Sequence, residues 1–255
     1  MNPAWQLTIL FLLSVAQLVF VMKLVALSVT RPSKPVRLDF VISPLTTPSS
    51  RRRRRAETQV TELLPRLVIV GGVMALAYLV YWQAMRSFRM PRVLASYLAA
   101  PILWLVGETA DAFMALIEWA LGRSLPPLHR SPWRLQGVTD FWGRRWNLWF
   151  SDWFRDVILR PFRTRPNAAL LLAFFVSGLM HEWVVNVPLY LVTGRNLFGT
   201  MMIYFLGQGI GILIERKFLK RRGPLRVLMG WLVVLGPAPL ILNEGLLLAL
   251  HLWPG

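Results

Sequence analysis

Cysteine is absent from this sequence, histidine occurs three times, and acidic residues number 12 against 29 lysines and arginines. Without a thiol there is no disulfide, no thiolate zinc site and no cysteine nucleophile. The histidines, His129, His181 and His251, lie far apart along the chain. His181-Glu182 opens like the zinc-protease pattern His-Glu-x-x-His, but Val185 stands where the second histidine is required, so that metal site is excluded. Neither common Gly-rich phosphate loop occurs, nor a Gly-x-Ser-x-Gly nucleophile elbow. No internal repeat is evident, which gives an inverted-repeat transporter little support.

What the sequence has in abundance is apolar residues, 55% of 255, gathered into blocks. A helix crossing the hydrocarbon needs about 20 mostly apolar residues. Residues 4–29, 66–84, 93–121, 168–193 and 197–214 meet or approach that length, and 227–252 is either one span kinked by Pro237 and Pro239 or two short ones. The first block is long and has no small-residue cleavage pattern after it, so it reads as a retained membrane helix rather than a secretory signal. Glu108 and Asp111 fall near the middle of 93–121, either at a break between two shorter helices or as a polar lining.

The formal net charge is +17, and the basic residues fall between the apolar blocks. Loops facing an anionic membrane surface account for this, and no nucleic-acid recognition module is present. Residues 31–62, with five consecutive arginines at 51–55, read as a flexible basic loop. The positive-inside rule puts 30–62, 123–167 and 215–226 on the cytoplasmic side. Arg86, Arg89 and Arg92 disagree with a simple six-span count unless 93–121 is two segments or re-entrant.

Residues 139–158 carry the most informative local pattern. On a helical wheel at about 100° per residue, Asp140, Arg144, Asn147 and Ser151 share one face, and Trp142, Trp146, Trp149 and Trp153 the other. This predicts an interfacial amphipathic helix, with indoles at headgroup depth and arginines near phosphates. In the fourth apolar block, Ser177 precedes His181 by one helical turn, with Gly178 beside them. Small residues there leave room for a neighbouring helix or a thin ligand. A neutral imidazole has an acceptor nitrogen and titrates near about 6.5, so His181 can take a proton from a hydroxyl. A histidine joining two helices by a hydrogen bond is the simpler alternative. Glu182 lies about 100° further round the helix, toward a different partner.

Two stretches resemble the membrane-bound O-acyltransferase superfamily. Asp140-Phe141-Trp142-Gly143-Arg144-Arg145-Trp146-Asn147 is similar to its Asp-Phe-Trp-x-Arg-Arg-Trp-(Asn/His) signature. Phe175-Val176-Ser177-Gly178-Leu179-Met180-His181-Glu182 resembles its Ser-Gly-x-x-His-Glu block. Both look closest to the wax-synthase branch, and the resemblance covers about residues 137–190. It implies an all-α, polytopic integral membrane protein: about six to eight membrane helices around an intramembrane tunnel, plus the interfacial amphipathic helix, in a single membrane-embedded domain over 1–255.

The implied reaction transfers a fatty acyl group from acyl-CoA to the hydroxyl of a long-chain alcohol. His181 matches the family's catalytic histidine and Asn147 its second catalytic position. Asp140, Trp142, Arg144, Arg145, Trp146, Ser177 and Glu182 are then substrate-binding candidates, with the two arginines facing CoA phosphates or lipid headgroups. The implied partners are acyl-CoA as co-substrate, a lipid-soluble hydroxyl acceptor and membrane lipids, with no cofactor, no metal and no nucleic acid. A sterol or glycerolipid acceptor, or a non-catalytic carrier, are the alternatives. The compact, arginine-heavy chain suggests a bacterial inner membrane, with the endoplasmic reticulum as the other location.

Overall fold

The computed structural model describes residues 2–31, 43, 47, 60–88, 90–120, 125–219, 221 and 223–253. The expected flexible loop at 31–62, with its five arginines, therefore lies almost wholly outside the described residues. All regular structure within them is helical.

Three long helices come first: α1 (Pro3–Thr30), α2 (Val60–Ser87) and α3 (Arg92–Ala120). At 28 or 29 residues each, they extend about 42 Å, enough to cross the hydrocarbon with tilt. Asn2 caps α1 by accepting from Ala4 N at 2.9 Å, and Pro3 occupies the first turn, where its missing N–H costs nothing. α2 leaves Val68, Ile69, Leu76, Leu79 and Val80 exposed. Water would oppose such a surface, and lipid accepts it.

α3 is continuous through Pro101, so neither the two-segment nor the re-entrant form of 93–121 occurs. Glu108 and Asp111 instead meet Arg66 of α2, at 3.2 and 2.7 Å. Charges at membrane depth need such partners, and this cluster fixes how α2 lies along α3.

Two expectations are corrected between 138 and 159. A helical turn, Val138–Asp140, runs into a π-helical turn, Phe141–Arg145. Trp146 is then extended, and Asn147 takes the left-handed conformation at φ 42° before α4 (Leu148–Phe154) begins. The segment is thus broken at Trp146-Asn147, and the wheel that joined Asp140 to Ser151 on one face does not apply. The Trp stripe also turns inward. Trp142 Nε1 donates to Gln208 Oε1 at 3.1 Å, Trp149 Nε1 to Pro126 O and Trp153 Nε1 to Met22 O, both at 2.8 Å. These indoles serve as interior glue, each with its N–H satisfied, which is what a buried indole requires.

After a second π turn, Arg155–Leu159, comes α5 (Pro166–His181). It continues through a third π turn, Glu182–Asn186, into α6 (Val187–Thr193), giving one 28-residue apolar rod. Next come α7 (Thr200–Phe218), α8 (Pro224–Leu235), the short α9 (Ala238–Ile241) and α10 (Glu244–Ala249). Residues 227–252 are therefore broken, at Gly236-Pro237 and again at Leu242-Asn243. The rods 3–30, 60–87, 92–120, 166–193 and 224–241 are long and apolar enough to cross a membrane. α7 is a sixth helix, of 19 residues, whose last turn carries Glu215, Arg216 and Lys217. The protein is an all-α, multi-pass membrane protein.

The core sits where α5 packs on α7, around Phe174, Phe205 and Tyr204. Gly178 makes this approach possible. A methyl group there would lie 2.9 Å from the Met202 sulfur and 3.0 Å from Met202 Cα, so its neighbouring-helix role is realised. Gly178→Val is expected to destabilise the protein by about 1–3 kcal/mol through overpacking. Gly207, with open space beside it, supplies the control: thermal unfolding in detergent should show a lower midpoint for the Gly178 variant than for Gly207→Val.

Candidate active site

Three buried carboxylates hold the elements around one cavity. Glu182 accepts from Gly199 N at 2.9 Å and Met202 N at 3.1 Å, capping the start of α7, and from Asn186 Nδ2 at 2.6 Å. Asn186 in turn accepts from Asn243 Nδ2 at 3.0 Å, which ties in the start of α10. Glu215, fully buried, accepts from Val138 N at 2.5 Å, Thr139 N at 3.3 Å and the Arg226 guanidinium at 2.8 Å. Each carboxylate meets the free N–H groups and positive dipole end of a helix or helical turn. Asp111 accepts from Leu128 N at 2.9 Å and so anchors the connection leading from α3 to the Trp-rich segment.

The cavity has a volume of about 520 Å³ and a mostly apolar lining contributed by α1, α3, α4, α5 and α7. That size suits a small organic or lipid-like ligand. Asn147 and His181 both line it, with Ser151, Ser177, Trp142 and Trp146. Two of the residue blocks separated in sequence therefore converge on one space.

Local structure prepares each polar group. The His181 Nδ1 lies 2.7 Å from Ser177 O. A carbonyl oxygen only accepts, so Nδ1 carries the proton, and Nε2 of the neutral ring keeps its lone pair. The ring is 4.3 Å from that of Phe205. It stands at the end of α5, where the π turn Glu182–Asn186 starts. The ordinary helical step of about 100° turns Glu182 toward α7 while His181 faces the cavity, and the wider turn then shifts the faces of the residues that follow.

Asn147 is the N-cap of α4: its Oδ1 accepts from Phe150 N at 3.4 Å. Asparagine tolerates the left-handed backbone that most side chains avoid. Its Nδ2 donors have no partner among the described residues. Ser151 Oγ donates to Trp142 O at 2.6 Å, holding the break shut.

Four expected substrate-binding residues stand elsewhere. Glu182 is the structural cap just described. Asp140 accepts from Gln136 N at 2.9 Å and pairs with Arg145, whose guanidinium also donates to Ser131 O at 3.1 Å. Arg144 lines a second, smaller hollow of about 190 Å³ with Asp140 and Arg226. The π turn at Phe141–Arg145 directs this set away from the main cavity. Conversely, sequence reasoning did not single out His129, Phe205, Arg155 and Arg216, which do line it. His129 offered a signal in being one of only three imidazoles; the others had none at helical spacing.

Residues 125–206 match the family model described as "Membrane bound O-acyl transferase family". The chain is 31% identical over 156 residues to probable long-chain-alcohol O-fatty-acyltransferase 9 of Arabidopsis thaliana, covering 52% of this chain and 45% of that protein. With the long-chain-alcohol O-fatty-acyltransferase of Simmondsia chinensis it shares 39% identity over 104 residues, 36% of this chain and 30% of the relative. It is also 28% identical over 117 residues to diacylglycerol O-acyltransferase 1 of Dictyostelium discoideum, 45% of this chain and 18% of that one. The matched region spans less than half the length of each of these relatives. These similarities bear out the resemblance to the membrane-bound O-acyltransferases and to their wax-synthase-like branch.

Removing the Glu182 cap should be felt in stability. Glu182→Ala leaves the Gly199 and Met202 N–H groups without their acceptor, whereas the Asn186 amide keeps Leu197 O and Thr200 Oγ1; the expected loss is about 2–5 kcal/mol. Glu182→Gln keeps an acceptor oxygen and should lose less. Unfolding midpoints in detergent check the order.

Proposed function

We propose that this protein is an O-acyltransferase that moves a fatty acyl group from acyl-CoA to the hydroxyl of a long-chain alcohol, forming a wax ester and releasing CoA. The observation that carries the reading is the convergence of His181 and Asn147 on one largely apolar cavity. An apolar space suits two long hydrocarbon chains, and the two polar groups supply what ester formation needs.

In this reading the His181 Nε2 lone pair takes the hydroxyl proton as the alcohol oxygen attacks the thioester carbon. The Asn147 Nδ2 group donates a hydrogen bond to the carbonyl oxygen as negative charge develops there. Collapse of the tetrahedral species breaks the C–S bond, and the departing sulfur takes the proton from His181. Transfer is direct. It is the Ser177 carbonyl, not its hydroxyl, that bonds the imidazole, so the serine lacks the activated pair an acyl-enzyme needs. Only a proton moves besides the acyl group, and no cofactor enters the reaction.

Arg155 and Arg216, at the cavity wall, are suited to the phosphates of CoA. The basic loops fit an anionic bilayer surface, which a bacterial inner membrane and the endoplasmic reticulum both provide.

Labelled acyl-CoA, offered with a panel of long-chain alcohols, a sterol and diacylglycerol to the purified protein in lipid, tests the reading. Ester formation on the alcohols is the expected result, and synthesis confined to diacylglycerol or sterol would reassign the acceptor. Transport of a substrate without any ester would reject catalysis.

Two variants probe the assigned groups. His181→Ala is expected to lower kcat by about 10²–10⁴-fold while the protein still inserts and folds. Asn147→Asp retains both the cap and the left-handed backbone yet removes the amide donors, so it should fold and lose about 10²–10³-fold in kcat.

A further inference from the structure

The cavity carries a second imidazole. The His129 side chain is only 3% exposed, lines the cavity, and holds Nδ1 3.2 Å from Glu108 Oε1. The geometry is that of an ion-pair contact rather than an in-line hydrogen bond, and Nδ1 has no other partner among the described residues. The ring lies 4.4 Å from that of Trp146. Space for it is reserved by Gly107, where a methyl group would come within 2.7 Å of Cε1.

Backbone hydrogen bonds place the His129 segment alongside Trp146-Asn147, and both His129 and Asn147 line the cavity. Arg130 N donates to Arg145 O and Leu148 N to Leu128 O, both at 2.8 Å. These two bonds bracket His129 on one segment and Trp146-Asn147 on the other. The Asp111 carboxylate fixes the first segment through Leu128 N.

Charge counting points the same way. Among the described residues Glu108 and Asp111 share a single guanidinium, Arg66, which leaves this set one negative charge in excess. An imidazolium at position 129 balances two carboxylates with two cations, as a poorly solvated site demands. The facing Trp146 ring also suits a cation. With Nδ1 turned to Glu108, Nε2–H is the remaining donor.

We propose that His129, oriented by Glu108, is a further catalytic residue: as an imidazolium it donates from Nε2 to the acyl carbonyl oxygen alongside the Asn147 amide. The proposal rests on the acyl-transfer reading above. As the C–O bond forms and the hydroxyl proton passes to His181, the carbonyl electron pair moves onto oxygen and is held by two donors. When the C–S bond breaks, that pair re-forms the carbonyl and sulfur takes the proton from His181. His129 keeps its own proton throughout.

The test compares His129→Phe, His129→Gln and Glu108→Gln with wild type, using the full chain in lipid and measuring kcat, KM for acyl-CoA and unfolding midpoint. His129→Phe is expected to lose about 100-fold in kcat with KM nearly unchanged, and to unfold at a lower midpoint because Glu108 loses its cation. His129→Gln, which offers an N–H donor, should recover about tenfold of that loss, and Glu108→Gln should lose about tenfold. A purely packing role predicts the reverse order, with Phe above Gln, and either that order or a wild-type kcat in His129→Phe overturns the proposal. If His129→Phe does not accumulate in the membrane, Glu108→Gln decides: a lowered kcat at unchanged KM and midpoint supports the donor, and an unchanged kcat overturns it. Ester synthesis by wild type separates the two levels. Its absence rejects acyl transfer itself, whereas an active wild type with unaffected His129 variants rejects only the second donor.

Discussion

In a bilayer the interior offers no water, so every buried N–H and carboxylate must be satisfied by the protein itself. This constraint shapes the molecule more than any single hydrophobic contact. Glu182, Glu215 and Asp111 each spend their oxygens on backbone N–H groups at helix starts or connections, together with a side-chain partner. Because each carboxylate belongs to one element and its donors to another, satisfying the polar groups also sets where α3, α5, α7 and the Trp-rich segment stand. The apolar faces then need only fill the space so defined.

The same elements depart from the regular α-helix where the cavity is built. Three π turns, at 141–145, 155–159 and 182–186, and the left-handed Asn147 interrupt helices beside it. Each change of pitch alters which neighbours share a face. The step of about 100° from His181 to Glu182 points an imidazole toward the cavity and a carboxylate toward the core, and the turn that follows re-aims the residues after them. The break at Trp146-Asn147 exposes an amide whose oxygen is used for capping and whose nitrogen is not. π turns recur at functional sites for this reason.

Tryptophan illustrates how local pattern and tertiary use diverge. Spacing of four, three and four put four indoles on one face of an ideal helix, and their amphipathic character fits an interface. In the folded chain three of them donate to Gln208, Pro126 and Met22. Helical periodicity alone carries no information on whether the partner is lipid or protein, and it presumes an unbroken helix.

Much was legible without coordinates. Length and continuity of apolar blocks determined an all-helical, multi-pass protein, because a backbone in hydrocarbon has few ways to satisfy itself. Two short blocks carried the family likeness, and the choice of Asn147 and His181 as catalytic came from that likeness, with imidazole chemistry supporting His181 alone. Tertiary structure alone decided that these two side chains border one cavity, that α3 is continuous around its acidic pair, and that Glu182 and Asp140 serve the scaffold. It also brought His129 to that cavity, and Glu108, 21 residues away in sequence, to the His129 ring. The physical reason is that a helix pattern fixes a residue's face only relative to its own axis. Which partner that face meets depends on where buried charges and free N–H groups on other helices find one another.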